Sequence, residues 1–95
     1  MDPYKSIFWK EFSRAEIRGL EAVQNLWNKV FQENKDNVTK MAELTLVLNW
    51  KSWNHYDDGQ DELGDLYDTL WSDNHNFAMS HFTGGDLDYY YNTTD

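Results

Sequence analysis

The strongest folding signal in this 95-residue chain lies between residues 60 and 82. Apolar side chains recur there at intervals of three and four, a spacing that places them on one side of an α-helix. The stripe consists of Leu63, Leu66, Tyr67, Leu70, Trp71, Phe77, Ala78 and Phe82. Asp61, Asp65 and Asp68 fall on the opposite side. We therefore predict a long amphipathic helix over residues 60–82, followed by a glycine break and a last short helical turn.

The segment before it, residues 38–58, carries two conflicting patterns. Residues 44–50 alternate between larger and smaller or polar side chains, which is the period of a strand. A lone strand would have no partner elsewhere in the chain. As a helix, the segment would bury Met41, Leu44, Val47, Leu48, Trp50 and Trp53. We favour a helix that ends at Gly59, with a strand at residues 44–50 as the alternative.

Two helix starts are predicted in the first part of the chain. An acid followed by proline at residues 2–3 is typical of a helix start, and we expect this helix to be short. Residues 13–16 have the pattern of a capping box, with Phe12 and Ile17 at the positions of a hydrophobic staple. We therefore predict that a second helix begins there and covers residues 14–33, before a polar turn.

These patterns predict an all-α fold, a small bundle of about three main helices with short terminal helices. The alternative is an α+β fold with a strand at residues 44–50. Aromatic residues make up 17% of the chain, which is too many for a disordered acidic tail. We expect residues 1–95 to form a single acidic domain centred on the hairpin. Met41 is also a possible internal start, which would divide the chain into an N-terminal arm, 1–40, and an acidic hairpin module, 41–95.

Charge is segregated along the chain. All eight lysine and arginine residues precede residue 52, and with seven acids they give residues 1–51 a charge of about +1. Residues 52–95 carry ten acids and no lysine or arginine, a charge of −10, which accounts for the total of −9. Like charges at helical spacing destabilise a helix by a few tenths of a kcal/mol per pair. An ordinary solvated helix face is the alternative explanation of such a run of acids, but the segregation of charge along the chain favours a binding function.

Two groups of residues are therefore candidate partner-binding residues. The acids are Asp57, Asp58, Asp61, Glu62, Asp65 and Asp68. The aromatics are Trp53, Tyr56, Tyr89, Tyr90 and Tyr91. Tryptophan and tyrosine dominate the hot spots of protein interfaces, and charge complementarity selects the partner. Three adjacent tyrosines cannot all point inward, so at least one of them should be exposed.

No pattern in the sequence indicates catalysis, a cofactor or a metal site. The chain has no cysteine, which excludes disulfides and thiolate ligands. An EF-hand alignment around Gly59 would place Tyr56 at a ligand position, so we reject it. His75 and His81 are too far apart to share adjacent turns of one helix face, and we expect His81 to be a partly buried ring. We predict that the protein is not an enzyme.

The net charge of −9 repels nucleic acids and anionic membranes and attracts basic partners. In size and composition the chain resembles the small acidic proteins with which phages and mobile elements block restriction or CRISPR machinery, including DNA mimics. This resemblance implies a non-enzymatic antirestriction-like or anti-CRISPR-like inhibitor or adaptor. It would act in the cytoplasm of a bacterial host cell, since no signal peptide is visible. Its partner would be the basic surface of a nucleic-acid-binding protein, such as a defence nuclease.

The alternative function is a helical module for homo-oligomerisation or structural assembly, with no link to nucleic acid. The aromatic side chains would then form the interface between copies, for example in a homo-dimer, and the acids would keep the outer surface soluble. Salt sensitivity distinguishes the two, because assembly through aromatic contacts is insensitive to salt.

Overall fold

A computed structural model describes residues 1–94 of the chain. After a 3₁₀ turn at Pro3–Lys5, five α-helices follow in order: α1 Ile7–Arg18, α2 Leu20–Asn34, α3 Val38–Asp57, α4 Asp61–His81 and α5 Gly84–Thr94. No strand occurs within residues 1–94, so the all-α fold is confirmed and the alternative strand at residues 44–50 is wrong. The helices are more numerous than the three main ones predicted, because the N-terminal part divides differently and α5 is longer than a single turn.

The hairpin of α3 and α4 is the centre of the molecule, as predicted. Each of the other α-helices also contacts α3. Because neighbours surround it, α3 buries side chains on several faces, among them Met41, Leu44, Val47 and Leu48, all fully inaccessible. Gly59 ends the hairpin's first helix with φ of 76°, a left-handed conformation that glycine adopts without strain.

The predicted helix start at Ser13 is wrong. Helix α1 runs through this position and begins instead after Ser6, whose hydroxyl accepts a hydrogen bond from the Phe8 amide at 3.1 Å. The break comes at Gly19, whose φ of 116° only glycine adopts readily. Ile17 is 88% exposed, so it forms no hydrophobic staple. Two of the capping-box residues have a different role, since the side chains of Ser13 and Glu16 contact Lys51 of α3.

The first 40 residues share one hydrophobic core with the hairpin. Phe12 from α1 and Val23 and Val30 from α2 belong to the same buried cluster as Tyr67 from α4. Edge-to-face packing of the Phe12 and Tyr67 rings, with centroids 5.8 Å apart, joins the first helix directly to the fourth. The region predicted as an N-terminal arm therefore contributes to the core on which the hairpin is built.

Helix α5 closes the bundle and continues beyond the predicted short turn. The helix extends to Thr94, and Asp95 lies outside the described residues. Tyr90 anchors α5 because its side chain is fully buried against α3 and α4. None of the helices described in residues 1–94 has the length and apolar character needed to cross a membrane.

Candidate protein-binding surface

Five aromatic side chains form a cluster on one side of the molecule, which we call the aromatic patch: Tyr4, Trp9, Trp50, Trp53 and Tyr56. The Tyr4 ring lies 4.5 Å from the Trp9 ring and 5.5 Å from the Trp50 ring, between centroids. Its hydroxyl donates to Asn54 Oδ1 at 3.3 Å, which fixes the 3₁₀ turn to α3. Trp53 and Tyr56 continue the patch with rings 6.4 Å apart. Tyr4, Trp50 and Trp53 are exposed to solvent.

The sequence pattern assigns Trp50 and Trp53 to the core of a buried α3, and this assignment is wrong. Trp53 is 64% exposed, which is the highest exposed fraction of any aromatic side chain in residues 1–94. The inward positions beside them belong to Lys51 and Ser52, which are buried because each has a polar partner. The Ser52 hydroxyl donates to the Gly64 carbonyl at 2.9 Å, and Lys51 is paired with a buried acid. The tryptophans therefore face outward.

The predicted acids form a continuous exposed group next to this patch, which we call the acidic row: Asp57, Asp58, Asp61, Glu62, Asp65 and Asp68. Asp57 follows Trp53 by four residues in α3, so the two side chains lie on the same face of that helix. From Asp61 to Asp68 the row extends about 10 Å along α4, at a rise of 1.5 Å per residue. None of the ion pairs in the described part of the chain involves a member of the acidic row.

Local helix electrostatics explains only part of the acidic row. Asp61 and Glu62 lie in the first turn of α4, where the helix dipole stabilises negative charge. Asp57 and Asp58 lie at the C-terminal end of α3, where the same effect is unfavourable. Asp68 is three residues from another acid, a spacing that adds repulsion. These last three carboxylates destabilise the isolated fold slightly, so folding alone does not account for them.

A hydrogen bond joins the patch to the row. The Tyr56 hydroxyl donates to the Asp65 carboxylate across the turn between α3 and α4. This bond, together with partial burial and the charges of Asp65, Asp68 and Asp61, raises the pKa of Tyr56 to about 12. The Tyr56 ring lies over Gly64, where a Cβ atom would come within 2.6 Å of it. A glycine at this position therefore makes room for the aromatic ring.

The tyrosine run lies elsewhere. Tyr90, one of the predicted partner-binding residues, is fully buried, and its hydroxyl bonds Thr45 Oγ1 at 2.9 Å and His75 Nδ1 at 2.8 Å. His75 follows Asp68, the last member of the acidic row, by about 10 Å along α4 at 1.5 Å per residue, so Tyr90 lies outside the row. Tyr89 is exposed, which confirms that at least one of the three is, and Tyr91 is half-buried.

A buried charged cluster, which the sequence reasoning missed, joins α1, α3 and α4. Glu16 Oε2 lies 2.8 Å from Lys51 Nζ and accepts a hydrogen bond from the Tyr67 hydroxyl at 2.6 Å. Burial alone would raise the pKa of Glu16, but the hydrogen bonds from Lys51 and Tyr67 outweigh it and lower that pKa. His55 Nε2 lies 3.1 Å from Glu16 Oε1, but the two atoms do not form a hydrogen bond.

This cluster contains a serine beside a lysine, because Lys51 Nζ donates to Ser13 Oγ at 2.5 Å. A serine nucleophile requires a neighbouring base that takes its proton. Lys51 Nζ is paired with the Glu16 carboxylate, and an ammonium group has donors but no acceptor for that proton. Lys51 is only 4% exposed and also lies 4.4 Å from the centre of the Trp9 ring. The arrangement is that of a structural ion pair that fixes α1 to α3.

A second buried network connects the remaining helices. Trp27 Nε1 of α2 donates to Asn74 of α4 at 3.2 Å, and Asn74 donates to Thr45 of α3 at 3.0 Å. Thr45 meets Tyr90 of α5, whose hydroxyl also bonds His75. A cavity of about 120 Å³ lies beside this network. Each polar group has a partner, so the network explains how four helices are held in register.

The last histidine, His81, lies at the surface. His81 is exposed, and not partly buried as predicted, because its Nε2 atom pairs with Asp36 Oδ1 at 2.7 Å on the surface. Across residues 1–94 there is no cluster of three or more His, Asp or Glu side chains that would hold a metal ion. The chain matches no protein-family model, no curated protein and no solved structure.

Proposed function

We propose that this protein is a non-enzymatic binding module whose aromatic patch and acidic row together dock onto a basic surface of a partner protein. One observation carries the proposal: Trp53, 64% exposed, shares a helix face with Asp57, at the point where the patch meets the row. Exposed tryptophan beside uncompensated carboxylates is the composition of an interface hot spot with a charged rim.

The chemistry of this surface suits arginine and lysine side chains. A guanidinium group stacks on an indole ring and also pairs with a carboxylate, so Trp53 and Asp57 can engage one arginine together. The molecule contains an internal contact of a cation with an indole ring, because the Lys51 ammonium lies over the Trp9 ring. The carboxylates increase the association rate by attracting basic partners, whereas the aromatic side chains supply most of the affinity.

A nucleic-acid-binding protein is the partner class that we favour. The acidic row extends about 10 Å from Asp61 to Asp68, close to the axial rise of three nucleotides in one DNA strand. Residues 52–95, which include the whole acidic row, contain no lysine or arginine. We therefore propose that the row replaces DNA phosphates in a basic groove, as an antirestriction or anti-CRISPR inhibitor of phage or mobile-element origin would do.

The test is a pull-down with the tagged full chain from a nuclease-treated bacterial lysate that contains DNA-defence systems. We expect recovery of a nucleic-acid-binding protein whose retention falls between about 0.1 M and about 1 M salt, where the Debye length shrinks from about 10 Å to about 3 Å. The purified partner should then bind the chain directly and lose its DNA. Direct binding that leaves the partner's DNA affinity unchanged would contradict mimicry but keep the binding module.

Homo-oligomerisation is the second candidate. Tyr4, Trp50 and Trp53 are all exposed, so the patch presents apolar surface that a second copy would cover. A dimer formed through this patch would persist at about 1 M salt, because apolar contacts are not screened. Sedimentation of the wild-type chain at high salt separates the two candidates: a stable dimer supports assembly, and a monomer supports a foreign partner.

A further inference from the structure

A groove between α1 and α2 carries positive charge on an otherwise acidic molecule. Its volume is about 490 Å³, and Arg14, Arg18 and Lys29 line it together with a single acid, Glu11. Ala22, among the other lining residues, contributes apolar surface. The groove therefore combines a net positive rim with an apolar wall. It lies on different helices from the acidic row, which belongs to the end of α3 and to α4.

The basic side chains of the groove form no ion pair with any of residues 1–94. Ion pairs in residues 1–94 use Lys40, Lys51, His55 and His81 as the basic members. The three basic side chains of the groove appear in none of them, and all three are exposed. The Glu16 side chain of α1 points toward α3, and the opposite face of α1 lines the groove. Two uncompensated surfaces of opposite sign thus exist on one chain.

We propose that the acidic row of a second copy of this chain docks into this groove. Arg14 and Arg18 are four residues apart on α1, a rise of about 6 Å along the helix. Asp61 and Asp65 are four residues apart on α4, so their rise is also about 6 Å. When α4 of one copy lies along α1 of the other, two carboxylates therefore lie opposite two guanidinium groups. Guanidinium groups form strong, directional hydrogen bonds to carboxylates.

This interface is heterologous, because one copy supplies the acidic row and the other supplies the groove. Each copy keeps one unused groove or one unused row after pairing, so assembly continues to a ring or an open chain. The inference does not depend on a foreign partner, although a foreign partner would compete for the same row. Self-association and partner binding are therefore measured separately.

Sedimentation velocity of the full chain is the first part of the test. The net charge of −9 opposes association at long range, so we choose about 0.1 M salt, where the Debye length is about 10 Å and contact pairs survive. The weight-average mass should rise above the monomer's 11.4 kDa with concentration and return to it at about 1 M salt. A mass that stays at 11.4 kDa across the concentration series at about 0.1 M salt would overturn the proposal.

Two variants identify the surfaces. The groove variant carries Arg14→Gln, Arg18→Gln and Lys29→Gln, and the row variant carries Asp61→Asn, Asp65→Asn and Asp68→Asn. All six positions are exposed, and circular dichroism checks that both variants fold. Each variant alone should remain a monomer, because each lacks one half of the contact.

Mixing the two variants gives the decisive result. The groove variant still has its acidic row and the row variant still has its groove, so a 1:1 mixture should form a dimer of twice 11.4 kDa and nothing larger. A symmetric interface, in which the same patch meets itself, would not be restored by mixing. A mixture that stays monomeric, or a groove variant that associates as the wild type does, would overturn the proposal.

Discussion

The Tyr56 hydroxyl donates a hydrogen bond to the Asp65 carboxylate, and this bond couples the end of α3 to the beginning of α4. It holds the aromatic patch and the acidic row side by side, on either side of the turn at Gly59. The Tyr56 ring lies over Gly64, whose carbonyl accepts from Ser52 on the same stretch of α3. The two halves of the proposed binding surface thus have a fixed relation before any partner arrives.

Tyr56 should ionise at unusually high pH. The hydrogen bond to Asp65 and the neighbouring acids raise its pKa from 10.0 to about 12. Because the folded state holds this proton more tightly than the unfolded chain, the stabilisation is complete below pH 10.0 and is lost as the pH rises toward about 12. NMR titration of the tyrosine rings tests this, with Tyr56→Phe to assign the signal. In Asp65→Asn the midpoint should move back toward 10.0, and an unchanged midpoint would contradict the assigned cause.

Gly64→Ala should have opposite effects in two backgrounds. In the wild type the new Cβ atom would lie 2.6 Å from the Tyr56 ring, and relieving such overpacking costs about 1–3 kcal/mol, which exceeds alanine's helix advantage of about 1 kcal/mol. We therefore expect net destabilisation of about 1 kcal/mol in urea unfolding. In a Tyr56→Ala background the ring is gone, and the same change should stabilise by about 1 kcal/mol. Stabilisation in both backgrounds would show that the ring can move aside freely.

Lys51→Met should destabilise the fold by about 3 kcal/mol, because it leaves the Glu16 carboxylate without its cation in a mostly buried position. The double variant Glu16→Gln, Lys51→Met should recover part of this loss, because no unpaired charge remains. Chemical unfolding of the two single variants and the double variant measures the coupling. Purely additive losses would mean that the ion pair is not an energetic unit.

Glu16 also predicts an acid-dependent loss of stability. Its pKa is lowered from 4.5 in the folded state, so its contribution is complete above pH 4.5 and is lost as the pH falls through the lower folded value. Unfolding free energy measured across this range should fall more steeply in the wild type than in Glu16→Gln. Parallel curves for the two proteins would exclude Glu16 as the responsible group.

Tyr90→Phe should destabilise the protein by about 1–2 kcal/mol, because it removes a hydroxyl that joins buried Thr45 and His75. The neighbouring Tyr89 is exposed, so Tyr89→Phe is the matched control and should change stability little. Equilibrium unfolding of both variants checks the difference. Equal effects would contradict the separate roles assigned to adjacent tyrosines.

The sequence predicts α4 well because its apolar residues recur over many turns, so an error at one position changes little. The segment of α3 was ambiguous, because residues 44–50 also have the period of a strand, and the helix was favoured only because such a strand would have no partner. The N-terminal helices were harder to place, because a capping-box pattern at Ser13 competed with a single glycine at position 19. The local sequence pattern favours a helix start at Ser13. In the folded chain, however, Ser13 and Glu16 bind Lys51, a residue far away in sequence. Only the tertiary contact decides between the two.

The exposed acids of the candidate surface could be predicted from the sequence, whereas its exposed aromatic residues were harder to predict. Acids exposed on a helix follow from the periodicity of the apolar stripe, so the acidic row is where the sequence places it. Trp50 and Tyr90 were not predictable, because their exposure depends on what packs opposite them. Trp50 faces outward since Lys51 takes the buried position, and Tyr90 faces inward since Thr45 and His75 receive its hydroxyl.

The central claim, that the patch and the row form one binding surface, is tested most directly by comparing three baits in a nuclease-treated bacterial lysate. They are the wild type, a surface variant with Trp53→Ala, Asp57→Asn and Asp58→Asn, and a control with Tyr89→Ala, Asp86→Asn and Asp88→Asn. The control removes the same charge and one exposed aromatic ring from α5. We predict that the wild type and the control retain the same nucleic-acid-binding protein and that the surface variant loses it. Equal retention by all three baits would contradict the claim.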